Sequence, residues 1–262
     1  MIMQHHEAAL SAFVTEVSGL PSALAVVLVG SVARGLERPD SDVDVYLVVT
    51  DEELERAVRE RAVGYTRDEL TDDDVYVDVK LASPTYLHAV AERGSEPARA
   101  SFVGARIAWS RLEELPALLD ATRAVPRDQW DDRVLSFTAE ARIYGGYFLP
   151  QAAASQDAYL LHWAAVHLVG SACRALLAHA HVTFAGAKYL RSSVEEIEGL
   201  PDGLLQLIDR LLDEPTPELG IELMRRVEGV VRAPLGMSET IGQFVVDNEL
   251  CWWTGLPAPE AL

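Results

Sequence analysis

The stretch that most constrains this chain is Ala23 to Val29, a continuous apolar run with several β-branched residues that ends at Gly30. A strand without polar side chains must be covered on both faces, so this run predicts the middle of a layered core with a sharp turn at its end. Val43 to Val49 is a second such run. Val75 to Leu81 alternates instead: Val75, Val77, Val79 and Leu81 face one way, and Tyr76, Asp78 and Lys80 face the other. That is a third strand with one polar face.

Helical spacing surrounds these strands. Ala8, Leu10, Phe13, Val14 and Val17 lie close to a helical period between His5 and Gly19, and Gly19 with Pro21 stops the helix. Asp51 to Tyr65 has a charged helical pattern with Leu54, Val58 and Val63 as its apolar stripe. From roughly residue 127 the character changes, since Trp130 to Phe148 and Tyr159 to His181 are long, rich in Ala and Leu, and free of proline. Pro201, Pro215, Pro217 and Pro234 divide the remainder into short helices or turns. A chain of 262 residues with 49% hydrophobic content can bury a full core. Two domains are expected, 1–124 and 125–262, joined within Ala121 to Arg127, where Pro126 sits.

Composition narrows the partners. With 41 acidic against 22 basic residues the formal net charge is -19, which repels polyanions and argues against duplex nucleic acid. A cationic small molecule would be drawn in, although acidity also serves solubility alone. The first residues lack a basic n-region and the run from Leu24 to Val29 is too short to cross a bilayer, so neither export nor a membrane is expected. Cys173 and Cys251 have no metal-ligand spacing and read as free thiols of a cytoplasmic protein.

The chemistry gathers in the first eighty residues. Asp42 and Asp44 are two apart at the start of a strand, so their carboxylates leave the same face and can grip a divalent cation such as Mg²⁺ through hard oxygens. Asp78 sits mid-strand on a polar face with apolar neighbours, where a lone carboxylate is costly without a cation beside it. If the two strands are neighbours, three carboxylates converge. Gly30, at the end of the first strand, leaves room for a phosphate near the backbone, and Ser31 offers an N–H and a hydroxyl. A short helix from about Val32 would point its N-terminus at the same phosphates. Other readings exist: an Asp-x-Asp pair commonly caps backbone N–H groups, Lys80 is a ready ion-pair partner for Asp78, and Asp72, Asp73 and Asp74 read as a solvated turn.

Leu28-Val29-Gly30-Ser31-Val32-Ala33-Arg34-Gly35, followed by Ser41-Asp42-Val43-Asp44, resembles the motif of polymerase-β-like nucleotidyltransferases. Gly35 and Ser41 bring it nearer to the small bacterial branch that includes aminoglycoside and lincosamide nucleotidyltransferases and the minimal enzymes of toxin–antitoxin pairs. The resemblance covers residues 24 to 49 and extends to Asp78. It implies an α+β protein, a nucleotidyltransferase domain with a mixed sheet flanked by helices followed by an all-α domain for substrate and nucleotide. It also implies that Asp42, Asp44 and Asp78 hold two Mg²⁺ ions and that Gly30 and Ser31 hold a nucleoside triphosphate. The implied reaction is attack by a substrate hydroxyl on the α-phosphorus, with release of pyrophosphate.

The helical half offers fewer signals. Such proteins often supply a basic residue to the triphosphate from this half, and Lys188, one of only two lysines, is the candidate; it also reads as a surface lysine. Glu140 is a weaker candidate for a general base, an exposed helix glutamate being the ordinary case. His179 and His181 are expected at the carbonyls ending their helix, and Trp109, Trp130, Trp163, Trp252 and Trp253 in core or interdomain packing. Three functions follow: transfer from ATP or another triphosphate to a small, cationic, antibiotic-like acceptor; modification of, or partnership with, a protein; or nucleotide binding without transfer.

Overall fold

The computed structural model describes residues 2–68, 70, 75–255 and 257–259. The chain divides into two compact units, Met1–Ala124 and Val125–Leu262. The fold is α+β, a five-stranded mixed sheet flanked by helices in the first unit and helices in the second.

The first unit runs α1 (Gln4–Val17), β1 (Ala23–Leu28), α2 (Gly30–Arg34), β2 (Val43–Val49), α3 (Asp51–Glu60), β3 (Gly64–Arg67), β4 (Val77–Ala82), α4 (Pro84–Arg93), α5 (Glu96–Ser101), β5 (Arg106–Ser110) and α6 (Leu115–Arg123). The sheet order is β3-β4-β2-β1-β5. β2 and β4 are parallel, whereas β1 pairs antiparallel with both β2 and β5, and β3 with β4. The alternating side chains separate two cores. Val43, Val45, Leu47, Val77 and Val79 pack with Ala9, Phe13 and Val17 of α1. Tyr46 and Val48 meet Leu87 of α4, Phe102 and Leu118 of α6 on the opposite face.

Two strands escape the sequence pattern. The helix expected to reach Tyr65 ends at Glu60, because Arg61 turns left-handed with φ 58° and reverses the chain into β3. Ala57 is the buried residue of α3, while Val58 and Val63 are exposed. β5 likewise presents Arg106, Ile107 and Ala108 to solvent and lacks an apolar face for a pattern to reveal. The expected turn at Asp72, Asp73 and Asp74 lies outside the described residues.

The second unit contains α7 (Arg127–Ile143), a π-helical turn (Tyr144–Phe148), α8 (Leu149–Ser155), α9 (Ala158–His179), α10 (Leu190–Glu195), α11 (Leu204–Asp213), α12 (Pro217–Val231), α13 (Met237–Phe244) and α14 (Cys251–Thr254). Pro217 occupies the first position of α12, where its missing N–H costs nothing. Among the described residues α9 is the one helix long and apolar enough to cross a membrane. Its Leu168, Ala172, Ala175 and Leu176 are instead enclosed with Phe137, Leu149, Leu211 and Leu223, which makes it the central helix of this core.

Several aromatic expectations change. Trp130 is buried, and Trp109 and Trp163 pack against the cores of their own units. Trp252 and Trp253 are 80% and 73% exposed, so they are not core residues. His181 stacks on Trp130 with 5.6 Å between ring centroids and 15° between planes, an aromatic contact in addition to its place at the helix end.

Candidate active site

Register builds the site. Along the parallel pair Val43 lies opposite Val77 and Asp44 opposite Asp78. Side chains alternate along a strand, so Asp42, Asp44 and Asp78 leave the same face at the entry to β2 and β4. One ligand oxygen from each of the three carboxylates lies within 4.8 Å of the others, and all three residues are half-buried. Farther along the same face Tyr46 and Val48 enter the core, so apolar packing ends where the carboxylates begin.

Gly30 has a role that the sequence reading did not assign. Its φ is +70°, and an added Cβ would stand 2.1 Å from Asp44 Oδ2 and 2.9 Å from Asp44 Cγ. The absent side chain therefore makes room first for the Asp44 carboxylate. The Val29 N–H donates to the Asp44 carbonyl at 2.9 Å, which ties the turn to β2. Ser31 follows in α2, half-buried, and its carbonyl accepts from Leu36 N at 3.0 Å. α2 starts at Gly30 rather than Val32 and has only five residues, too short to accumulate much aligned dipole.

The loop that delivers Asp42 is anchored from far away in sequence. His6, fully buried in α1, donates from Nε2 to the Ser41 carbonyl at 2.9 Å. The Nε2 of His5 meets the Pro39 carbonyl at 3.2 Å, and the Ser41 hydroxyl oxygen accepts from Arg38 N at 2.9 Å. No local signal in the sequence couples an N-terminal histidine to a loop some thirty-five positions on.

Tyr76 was also missed as a site residue. Its hydroxyl donates to Asp42 Oδ2 at 3.3 Å, and its carbonyl accepts from Val43 N at 3.1 Å. The negative charge of Asp42, ahead of desolvation and the charges of Asp78 and Asp44, raises the phenol above its ordinary pKa. Lys80 is exposed, and among the described residues no ion pair joins it to Asp78.

Three hard oxygens at this separation suit a magnesium ion. Mg–O bonds of about 2.0–2.1 Å put neighbouring ligands about 3 Å apart, so the three oxygens would have to draw together to share one ion. Half-burial leaves room for the waters and phosphate oxygens that magnesium keeps.

The other candidates lie in the second unit. Lys188 is exposed within the short turn Ala187–Tyr189, its Nζ 5.5 Å from the Tyr189 ring centroid. Glu140 is only 1% exposed and accepts from Ser171 Oγ at 2.9 Å, so it is an enclosed carboxylate and not the exposed helix glutamate expected.

Residues 10–100 match the family model of the nucleotidyltransferase domain, a segment that contains Gly30, Ser31 and all three aspartates. No curated protein matches the chain. Among solved structures, a nucleotidyltransferase-like protein from Exiguobacterium sibiricum 255-15 matches with a TM-score of 0.51 at 15% identity, over 94% of this chain and 80% of that one. At that identity the likeness concerns the fold alone. The family match supports nucleotidyl transfer in general, and the donor set suits the divalent metal that such a domain implies.

Proposed function

We propose that the chain is a magnesium-dependent nucleotidyltransferase of the polymerase-β-like superfamily, in the small bacterial branch of aminoglycoside- and lincosamide-type enzymes. It moves a nucleoside monophosphate from ATP to a hydroxyl of a small cationic, antibiotic-like acceptor in the cytoplasm, releasing pyrophosphate. The observation that carries this reading is the convergence of Asp42, Asp44 and Asp78, with one oxygen of each within 4.8 Å of the others and Gly30 against Asp44. The match over residues 10–100 supports the reaction class.

Asp42 and Asp44 would hold two ions between them, with Asp78 completing the ligand set for the one at the reacting centre. Magnesium, when bound, supplies positive charge against the triphosphate and lowers the pKa of an attacking hydroxyl. Gly30 keeps the turn close enough for backbone contact with phosphate while leaving Asp44 its place. Ser31 contributes its hydroxyl and N–H, and Lys188 is assigned to the triphosphate from the helical domain. Such a site accelerates transfer mainly by alignment and charge neutralisation. A net charge of -19 favours a cationic acceptor, which the domain 125–262 would bind.

Pyrophosphate release is to be measured with Mg²⁺, each of the four ribonucleoside triphosphates and a panel of aminoglycoside and lincosamide acceptors. The reading expects turnover with ATP that disappears in Asp42→Asn and Asp44→Asn. Turnover that survives both substitutions would reject it.

A further inference from the structure

We infer that Tyr76 is a positioning residue for Asp42, the fourth corner of the carboxylate site. The inference rests on the metal-binding role proposed above for the triad. Asp42 precedes β2 by one residue and Tyr76 precedes β4 by one residue, so the register that sets Val43 opposite Val77 sets these two opposite each other as well. Residues 42 and 44 on one strand and 76 and 78 on the next therefore form a rectangle on one face.

Asp42 needs such a neighbour more than the others do. Asp44 and Asp78 sit inside the paired strands, where the ladder fixes their backbones. Asp42 lies outside the ladder at the end of a loop, so its carboxylate would otherwise rotate freely. Tyr76 restrains it twice: its carbonyl takes the N–H of Val43, and its hydroxyl donates to Asp42 Oδ2. Holding Oδ2 leaves the second oxygen for a cation and fixes the plane of the carboxylate. Outer partners of metal ligands act in this way, and their loss typically weakens binding by about 10- to 100-fold. Tyr76 is 43% exposed, so water replaces part of what it gives and the smaller end of that range applies.

Mn²⁺ binding to the full chain, followed by water-proton relaxation and by calorimetry without nucleotide, tests the assignment. Tyr76→Phe keeps the ring and removes the hydroxyl, and is expected to weaken Mn²⁺ roughly tenfold with an unchanged melting temperature. In an Asp42→Asn background the same substitution should weaken Mn²⁺ no further, since its effect runs through that carboxylate. Equal Mn²⁺ affinity in the wild-type chain and Tyr76→Phe would overturn the role of Tyr76 while leaving the metal site intact. An equal further loss in the Asp42→Asn background would overturn it too. A wild-type chain that binds no Mn²⁺ would instead overturn the metal reading, and this inference with it.

Discussion

The carboxylate face of the first unit and the enclosed charges of the second are handled in opposite ways. In the first, Asp42, Asp44 and Asp78 share one half-buried face, and among the described residues neither Asp42 nor Asp78 has a lysine or arginine at ion-pair distance. In the second, charges are enclosed with partners from the chain itself. Glu140 takes the Ser171 hydroxyl, and the Arg174 guanidinium lies 4.1 Å from the Phe137 ring and 4.5 Å from the Phe184 ring while donating to the Pro259 carbonyl. Arg142 grips Glu228 with two bonds of 2.8 and 2.9 Å and also donates to Leu235 O and Thr240 Oγ1. Charges that a chain satisfies internally hold its helices together, whereas half-buried carboxylates gathered on one face invite a cation.

The sharpest way to break this comparison is to neutralise one carboxylate of each kind. Asp42→Asn or Asp44→Asn should reduce nucleotidyl transfer at least about 100-fold, because charge stabilisation at the reacting centre is lost. Melting temperature should stay level or rise, since like charges are relieved. Glu140→Gln should do the reverse, leaving the rate within about twofold while destabilising the chain by roughly 2–3 kcal/mol. Rate and melting curves of the same preparations decide it. A Glu140→Gln chain that melts normally but turns over slowly would restore Glu140 as a general base and dissolve the contrast.

Gly30→Ala comes next in size. The new Cβ collides with Asp44 and the left-handed backbone costs about 1 kcal/mol more for alanine, so Asp44 must leave its position. Mn²⁺ affinity is expected to fall more than about tenfold with only a modest loss of stability. If calorimetry finds affinity intact, Gly30 serves the phosphate alone. In the helical unit, Arg142→Met should remove about 2–3 kcal/mol by leaving Glu228 and the Leu235 and Thr240 acceptors without their donor. Amide exchange should quicken in α12 and α13 and stay unchanged in β1 and β2.

What could be read in advance follows the same division. β1, β2 and β4 were visible because buried strands write their burial into consecutive or alternating valines, and the Asp42–Asp44 periodicity follows from that alone. β3 and β5 were not, since short edge strands with exposed side chains carry no such pattern. The convergence of Asp78 with the pair depended on a parallel register between strands nearly thirty residues apart, which no local spacing encodes. Tyr76 was hidden for the same reason: it is ordinary along its own strand and becomes a neighbour of Asp42 only through β2. Glu140 misled because a helix of mixed polarity shows which residues are charged but not which face is enclosed.

A last carboxylate separates location from partnership. Asp51 belongs to the sheet unit, yet like Glu140 it is satisfied by the chain: Thr85 donates to it from N at 3.2 Å and from Oγ1 at 2.8 Å. A hydrogen bond from the Ser83 side chain, with these Thr85 bonds, outweighs burial and holds its carboxyl below the ordinary value of 3.8. A folded-state pKa below the unfolded one stabilises the fold above pH 3.8, and that contribution disappears as pH falls through the folded value. Asp51→Asn should therefore cost less than about 1 kcal/mol at neutral pH, because the side chain is largely solvated. The gap from the wild-type chain should close progressively below pH 3.8 in urea melts, while transfer activity at neutral pH is untouched. A loss of activity on the scale of Asp42→Asn would mean that mere membership of the sheet unit makes a carboxylate functional. A small, pH-dependent loss of stability places the distinction in what each carboxylate touches.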